Sequence, residues 1–138
     1  VLAAASLIRL GLQHEMTELL PSEVMLPAPG QGALALETLA GHWVDAVLAP
    51  LHDPPTASAV AAERAFLAHL GGGCMAPIAA LGQCQAGVLH LRGLVSTLDG
   101  RWQWRREIRG AAPDAVQLGQ RLAEQCRASG ARAILAAL

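Results

Sequence analysis

The stretch "VLHLRGLVSTLDGRWQWRREI", residues 88–108, decides the fold. Its first part, "VLHLRGLV" (88–95), alternates in part between apolar and polar side chains, the period of a half-buried strand. "LDG" follows at 98–100, and an Asp-Gly pair between two such runs is a strong hairpin signal, because its glycine accepts the backbone angles a tight return needs. In "RWQWRREI" (101–108), Trp102 and Trp104 are two positions apart, so the returning strand carries both on one face. The sequence therefore predicts an antiparallel sheet.

Working outward, the apolar run at 76–82 precedes the hairpin. Before it, "TASAVAAERAFLAHL" (56–70) sets Ala59, Ala62, Phe66 and Leu70 on one helical face. Thr56 or Ser58 is expected to cap that helix and Gly71 to end it. After the hairpin, Pro113 and Asp114 open a helix with Ala115, Leu118, Leu122 and Cys126 on one side, closing at Gly130. "ARAILAAL" (131–138) finishes the chain as a strand or a docked helical end. The order is α-β-β-β-α, an α+β domain with a three-stranded antiparallel sheet and flanking helices. Upstream the pattern is less regular. Residues 2–12 read as a helix ending at Gly11, and 14–20 as a short turn stopped by Pro21. "MLPAPGQGALALE" (25–37) has too much proline and glycine for a helix, although "ALALE" is expected to form a short buried strand. "HWVDAVLAPL" (42–51) is helix-like and closed by Pro50, and "HDPP" (52–55) is the best linker candidate.

A chain of 138 residues suggests one domain or pieces of two. Apolar residues make up 53% and charged residues 15%, with a formal net charge of −1, so the chain is neither disordered nor strongly charged. That balance gives no basic footprint for nucleic acid or an anionic membrane, and no apolar run reaches the roughly 20 residues of a membrane span. All ten basic residues are Arg, a side chain suited to bidentate contact with carboxylates or phosphates, although a GC-rich genome gives the same bias. The opening "VLAAASLIRLGLQ" has neither a Met nor a basic segment before its apolar stretch; it does not read as a secretory signal, but as a chain cut open in mid-domain. Cys74, Cys84 and Cys126 are odd in number without CxxC spacing, which favours a reducing, cytoplasmic setting.

Candidate chemistry concentrates at "HLGGGCMAPIAAL" (69–81), where three glycines precede Cys74. A lone cysteine is commonly a small buried hydrophobe. Here the glycines let a bulky group approach the main chain, and loop amides just past a helix can favour a thiolate. Both readings stand on the residues alone. Cys126 reads as core on a helix face and Cys84 as a turn residue. The five His residues are scattered, without zinc-helix or CxxC/HxxxH spacing, so no metal site is expected. His69 could activate the thiol, but a surface or capping role suits it better. Glu63, beside Arg64, looks like a solvated helix face. "PGQG" (29–32) could cradle a phosphate but lacks the Lys-Ser/Thr of a P-loop. Arg101, Arg105, Arg106 and Arg109 near two Trp residues fit a nucleic-acid face, and equally the charged side of a sheet.

Three segments together resemble the porphobilinogen deaminase (hydroxymethylbilane synthase) family: "LAAASLIRLGL" at 2–12, "LPAPGQGALALE" at 26–37 and "AAERAFLAHLGGGCMAPIAA" at 61–80. "LRGLVSTLDG" and "SGARAILAAL" continue the likeness, which covers the carboxy-terminal portion of that family. The resemblance implies that Cys74 carries a dipyrromethane cofactor through a thioether, a bond that cellular thiols do not cleave. It implies that the cofactor primes the stepwise condensation of four porphobilinogen units, with ammonia lost and hydroxymethylbilane released by hydrolysis. Gly72 and Gly73 would turn the chain out of the helix and leave room for the product. Arg9 matches a family arginine that binds cofactor or substrate carboxylates, an assignment suited to its fork of donors. Gln31 and Gly32 match a segment along the active-site cleft and are candidates for contacts there, through backbone amides. Ile8 stands where a Lys often precedes the Arg.

The resemblance also implies the architecture and partners. Residues 1–52 would supply the end of the second domain and a segment returning to the first, a fragment of a periplasmic-binding-protein-like α/β two-domain unit. Residues 53–138 would be the cofactor-carrying α+β domain. The family's catalytic aspartate belongs to the amino-terminal part, so the chain alone is expected to show no turnover and poor cofactor retention. The expected partners are porphobilinogen and the missing amino-terminal domains, in a cytoplasmic monomer with no nucleic acid, membrane or metal. The competing reading is a small α+β binding or regulatory module whose Cys74 is merely buried. A thiol redox protein would need a resolving cysteine closer than Cys84.

Overall fold

The hairpin supplies the middle strand and one edge strand of the sheet. The computed structural model describes residues 1–71, 76–131 and 134. In it β1 (Ile78–Gln85), β2 (Val88–Ser96) and β3 (Gln103–Ala111) are antiparallel neighbours in the order β1-β2-β3. Leu91 in the middle strand pairs with Gly82 on one side and Ile108 on the other. The return between β2 and β3 follows the Asp-Gly signal. The Asp99 carboxylate accepts from the Thr97 hydroxyl at 2.6 Å and from the Arg101 amide at 3.1 Å. The Gly100 amide donates to the Thr97 carbonyl at 3.0 Å, and Gly100 has φ +70°. The return between β1 and β2 is tighter, with Ala86 at φ +49° and Gly87 at φ +75°, the angles of a type I′ turn.

Two helices cover one face of this sheet. α3 (Pro54–Leu70) buries Ala59, Ala62, Phe66 and Leu70, the four positions its periodicity marks. α4 (Ala115–Cys126) buries Ala115, Leu118, Leu122 and Cys126, again as expected, with Gly119 and Ala123. These side chains meet Ile78, Ala80, Leu89, Leu91 and Val95 in one core. At Gly119 the helices touch so closely that a Cβ would lie 2.3 Å from the Ala62 carbonyl oxygen. His69 pairs with Glu124, so α3 and α4 run side by side in the same direction. The α-β-β-β-α order and the antiparallel three-stranded sheet are therefore as the sequence indicates.

Several local expectations need correction. The prolines of "HDPP" belong to the first turn of α3, where a missing amide costs nothing, and the cap is Asp53, whose carboxylate accepts from the Thr56 amide at 3.0 Å. Thr56 and Ser58 lie inside the helix. "ALALE" forms no strand: among the described residues nothing pairs with its backbone, and Leu34 is 97% exposed. A strand needs a neighbour, and the described sheet is complete without it. Trp102 precedes β3 and is exposed, whereas Trp104 is half-buried and donates from Nε1 to the Ser129 carbonyl at 2.6 Å, against the chain reversal at Gly130. Upstream, α1 (Ala4–Arg9) is shorter than 2–12, and α2 (Val44–Leu48) passes into a 3-10 turn that contains Pro50. Among the described residues, no helix is long and apolar enough to cross a membrane.

Candidate functional site

Residues 22–32 wrap the free edge of β1, passing from the outer face of the sheet to the helical side. Arg92, on the outer face of β2, holds the start of this strap. Its guanidinium donates to the Glu23 carboxylate at 2.8 Å, the Ser22 hydroxyl at 2.9 Å and the Gln83 side chain at 3.1 Å. Arg105 adds a bond to the Glu23 carbonyl at 2.7 Å. The Arg92 pairing and backbone bonding hold the Glu23 carboxyl below its ordinary range, the backbone bond being the larger influence. Leu26 is buried, and the Pro27 carbonyl accepts from the Ala80 amide at 3.0 Å, closing one open position of the β1 edge.

The strap ends in a turn. The Gln31 amide donates to the Ala28 carbonyl at 3.2 Å across Pro29 and Gly30, and Gly30 has φ +80°. Proline followed by a glycine of positive φ is the signature of a type II turn. This turn is tied to α3 by Glu63. One carboxylate oxygen accepts from the Gly30 amide at 2.6 Å and the other from the Gly82 amide at 2.7 Å. Glu63 is 4% exposed, so it is no solvated face; that expectation is overturned. Its spacing places it in the apolar stripe of 59, 62, 66 and 70, which is the signal that could have found it. Burial raises its carboxyl above the ordinary value near 4.5, opposed by the two amide bonds.

The expected site residues fall into two groups. Arg9 is exposed at the end of α1, and among the described residues it has no acidic partner. An unpaired guanidinium is a ready receptor for an incoming carboxylate. Gln31 and Gly32 are exposed at the end of the strap. The Gln31 amide is used by the turn, so its side chain is what that residue offers a ligand. No hydrogen bond joins Arg9 to either of them among the described residues. Gly72, Gly73 and Cys74 lie outside the described residues. What frames them is described: α3 ends at Gly71, in the left-handed conformation with φ +77°, and β1 begins at Ile78.

The remaining candidates have structural roles. His69 spends its ring nitrogen on Glu124, tying α3 to α4. Cys126 is fully buried, which pushes its thiol up to about 11, so it is a core residue as expected. Cys84 lies within β1 rather than in a turn and packs against the core. Among the described residues no group of His, Cys, Asp or Glu could hold a metal ion. Beside the Gly30 turn lies an open cavity of about 450 Å³, lined in part by Leu34, Leu48, His52, Val60 and Arg64.

Comparison with known proteins matches two family profiles, in chain order. Residues 1–44 match "Porphobilinogen deaminase, dipyromethane cofactor binding domain", and residues 57–128 match "Porphobilinogen deaminase, C-terminal domain". Among curated relatives, the porphobilinogen deaminase of Roseiflexus castenholzii is 47% identical over 137 residues, 99% of this chain and 45% of the relative. That of Thermus thermophilus is 47% identical over 138 residues, 99% of this chain and 46% of the relative. That of Burkholderia vietnamiensis is 48% identical over 143 residues, 100% of this chain and 43% of the relative. The chain therefore spans less than half the length of these relatives.

Proposed function

Because this chain belongs to the porphobilinogen deaminase family, we propose that it acts as the carboxy-terminal, cofactor-bearing portion of a hydroxymethylbilane synthase. The single observation that carries the reading is the collinear match of both family profiles across one chain. In the proposed reaction four porphobilinogens and one water give one hydroxymethylbilane and four ammonias. Residues 1–52 form the end of the second domain and the segment returning to the first, part of a periplasmic-binding-protein-like unit. Residues 53–138 form the cofactor-carrying domain. The catalytic aspartate belongs to the amino-terminal part, which the chain needs as its partner in a monomeric cytoplasmic enzyme.

In this reading Cys74 holds dipyrromethane through a sulfur–carbon bond. When bound, that group supplies a nucleophilic pyrrole carbon as primer. The chain's own donors fit a ligand bearing acetate and propionate groups. Arg9 is unpaired among the described residues and can take a carboxylate on its planar fork. Gln31 presents its side chain, and Gly32 its backbone, to the same cleft. Gly72 and Gly73 follow Gly71 in sequence, where α3 ends, and residues without a Cβ would leave the tethered group clearance.

The test joins this chain to the amino-terminal portion of a relative, such as the Thermus thermophilus protein, and follows porphobilinogen consumption with ammonia release. The joined protein is expected to release four ammonias per product, and the chain alone none. Turnover by the chain alone, or inactivity of a folded joined protein, contradicts the reading.

A further inference from the structure

Glu63 is a buried carboxylate with no cationic partner among the described residues. Placing an ionisable group there costs free energy unless every oxygen is satisfied. Its two oxygens are satisfied by amides from two separate segments, Gly30 in the strap and Gly82 on the edge of β1. Covering a strand edge needs no carboxylate; the Pro27 carbonyl does the same for Ala80. What Glu63 adds is a bridge, one side chain on α3 reaching two backbones at once.

We infer that Glu63 is a positioning residue: it clasps the Gly30 turn to α3 and β1, so that Gln31 and Gly32 keep one place relative to the end of α3, which precedes Cys74 closely in sequence. This role rests on the proposed function, in which Gln31 and Gly32 line the cleft. The lever is short and stiff. Glu63 lies two helical turns before Leu70, about 10 Å at 1.5 Å per residue. On the strap side Gly30 is the third residue of a closed turn, so the next residue inherits its position. Without the clasp the strap stays held at Pro27 and at Arg92, and the turn beyond Pro27 is free to swing.

The test compares Glu63→Gln with Leu122→Ala, a core change that destabilises without touching the strap. Gln can accept one amide through its carbonyl but turns an NH2 towards the other. In the 138-residue chain, exchange of the Gly30 or Gly82 amide is expected to quicken roughly tenfold in Glu63→Gln, beyond any change at the sheet amide of Leu91. In the joined protein, Glu63→Gln is expected to keep its mass adduct but lose about tenfold in kcat/KM, while adduct-bearing Leu122→Ala stays within about twofold of the unsubstituted protein. Unchanged exchange at both glycines overturns the clasp. Equal turnover in the two variants overturns the positioning role and leaves Glu63 merely structural. An unsubstituted joined protein without turnover overturns the functional reading and the positioning role with it, while the exchange data still decide the clasp.

Discussion

At the scale of single residues, Glu63 bears the most. Glu63→Gln strands one of two buried amides, and urea unfolding is expected to show a loss of about 1–3 kcal/mol. The pH dependence has a definite sign. Burial raises the folded-state pKa above the ordinary value near 4.5, so the folded chain holds its proton longer than the unfolded chain. The stability tied to that proton is complete below 4.5 and is lost as pH rises through the higher folded value. Subtracting the Glu63→Gln curve from that of the unsubstituted protein isolates this slope; a difference that grows with pH there would contradict it. Gly119→Ala forces a methyl against the Ala62 carbonyl and is expected to cost about 1–3 kcal/mol in the same measurement. Neither residue's role could be assigned from sequence alone. Glu63 sits at a buried position of the α3 stripe, but its partners Gly30 and Gly82 come from distant chain, and no local pattern announces them.

At the scale of elements, the periodicity of α3 and α4 and the Asp-Gly return were legible because each depends on neighbours close in sequence. The start of α3 was misplaced because two prolines read equally as linker and as helix N-terminus, and only the Asp53 bond to Thr56 separates them. Asp53→Ala is expected to lower the urea midpoint at neutral pH. Hydrogen bonding to Thr56 depresses the Asp53 carboxyl below 3.8, so its contribution is present above that value and is lost as pH falls through the depressed one. The difference between Asp53→Ala and the unsubstituted protein should therefore close in strong acid. "ALALE" failed as a strand because alternation reports which faces are available, not whether a partner strand is there.

At the scale of the whole molecule, the strap packs residues 22–32 against the α+β unit, although Pro, Gly and "HDPP" punctuate the chain between them. That association was not legible, since it runs through Arg92, Pro27 and Glu63, residues that look like surface charge or loop in isolation. Arg92→Ala removes the donors to Glu23, Ser22 and Gln83, and limited proteolysis is expected to cut sooner within 19–25 while the core from Pro54 to Cys126 stays intact. Equal cutting rates would show the outer-face contacts to be dispensable. The likeness carried by three motifs in order reached further than any physical pattern, because it reads a whole family's geometry at once. The central claim is that Cys74 tethers dipyrromethane, and the intact mass of the joined protein tests it most directly. The account predicts one added dipyrromethane mass on the unsubstituted protein and none on Cys74→Ser; an unmodified mass on folded, active, unsubstituted protein, or the same adduct on both, would contradict it.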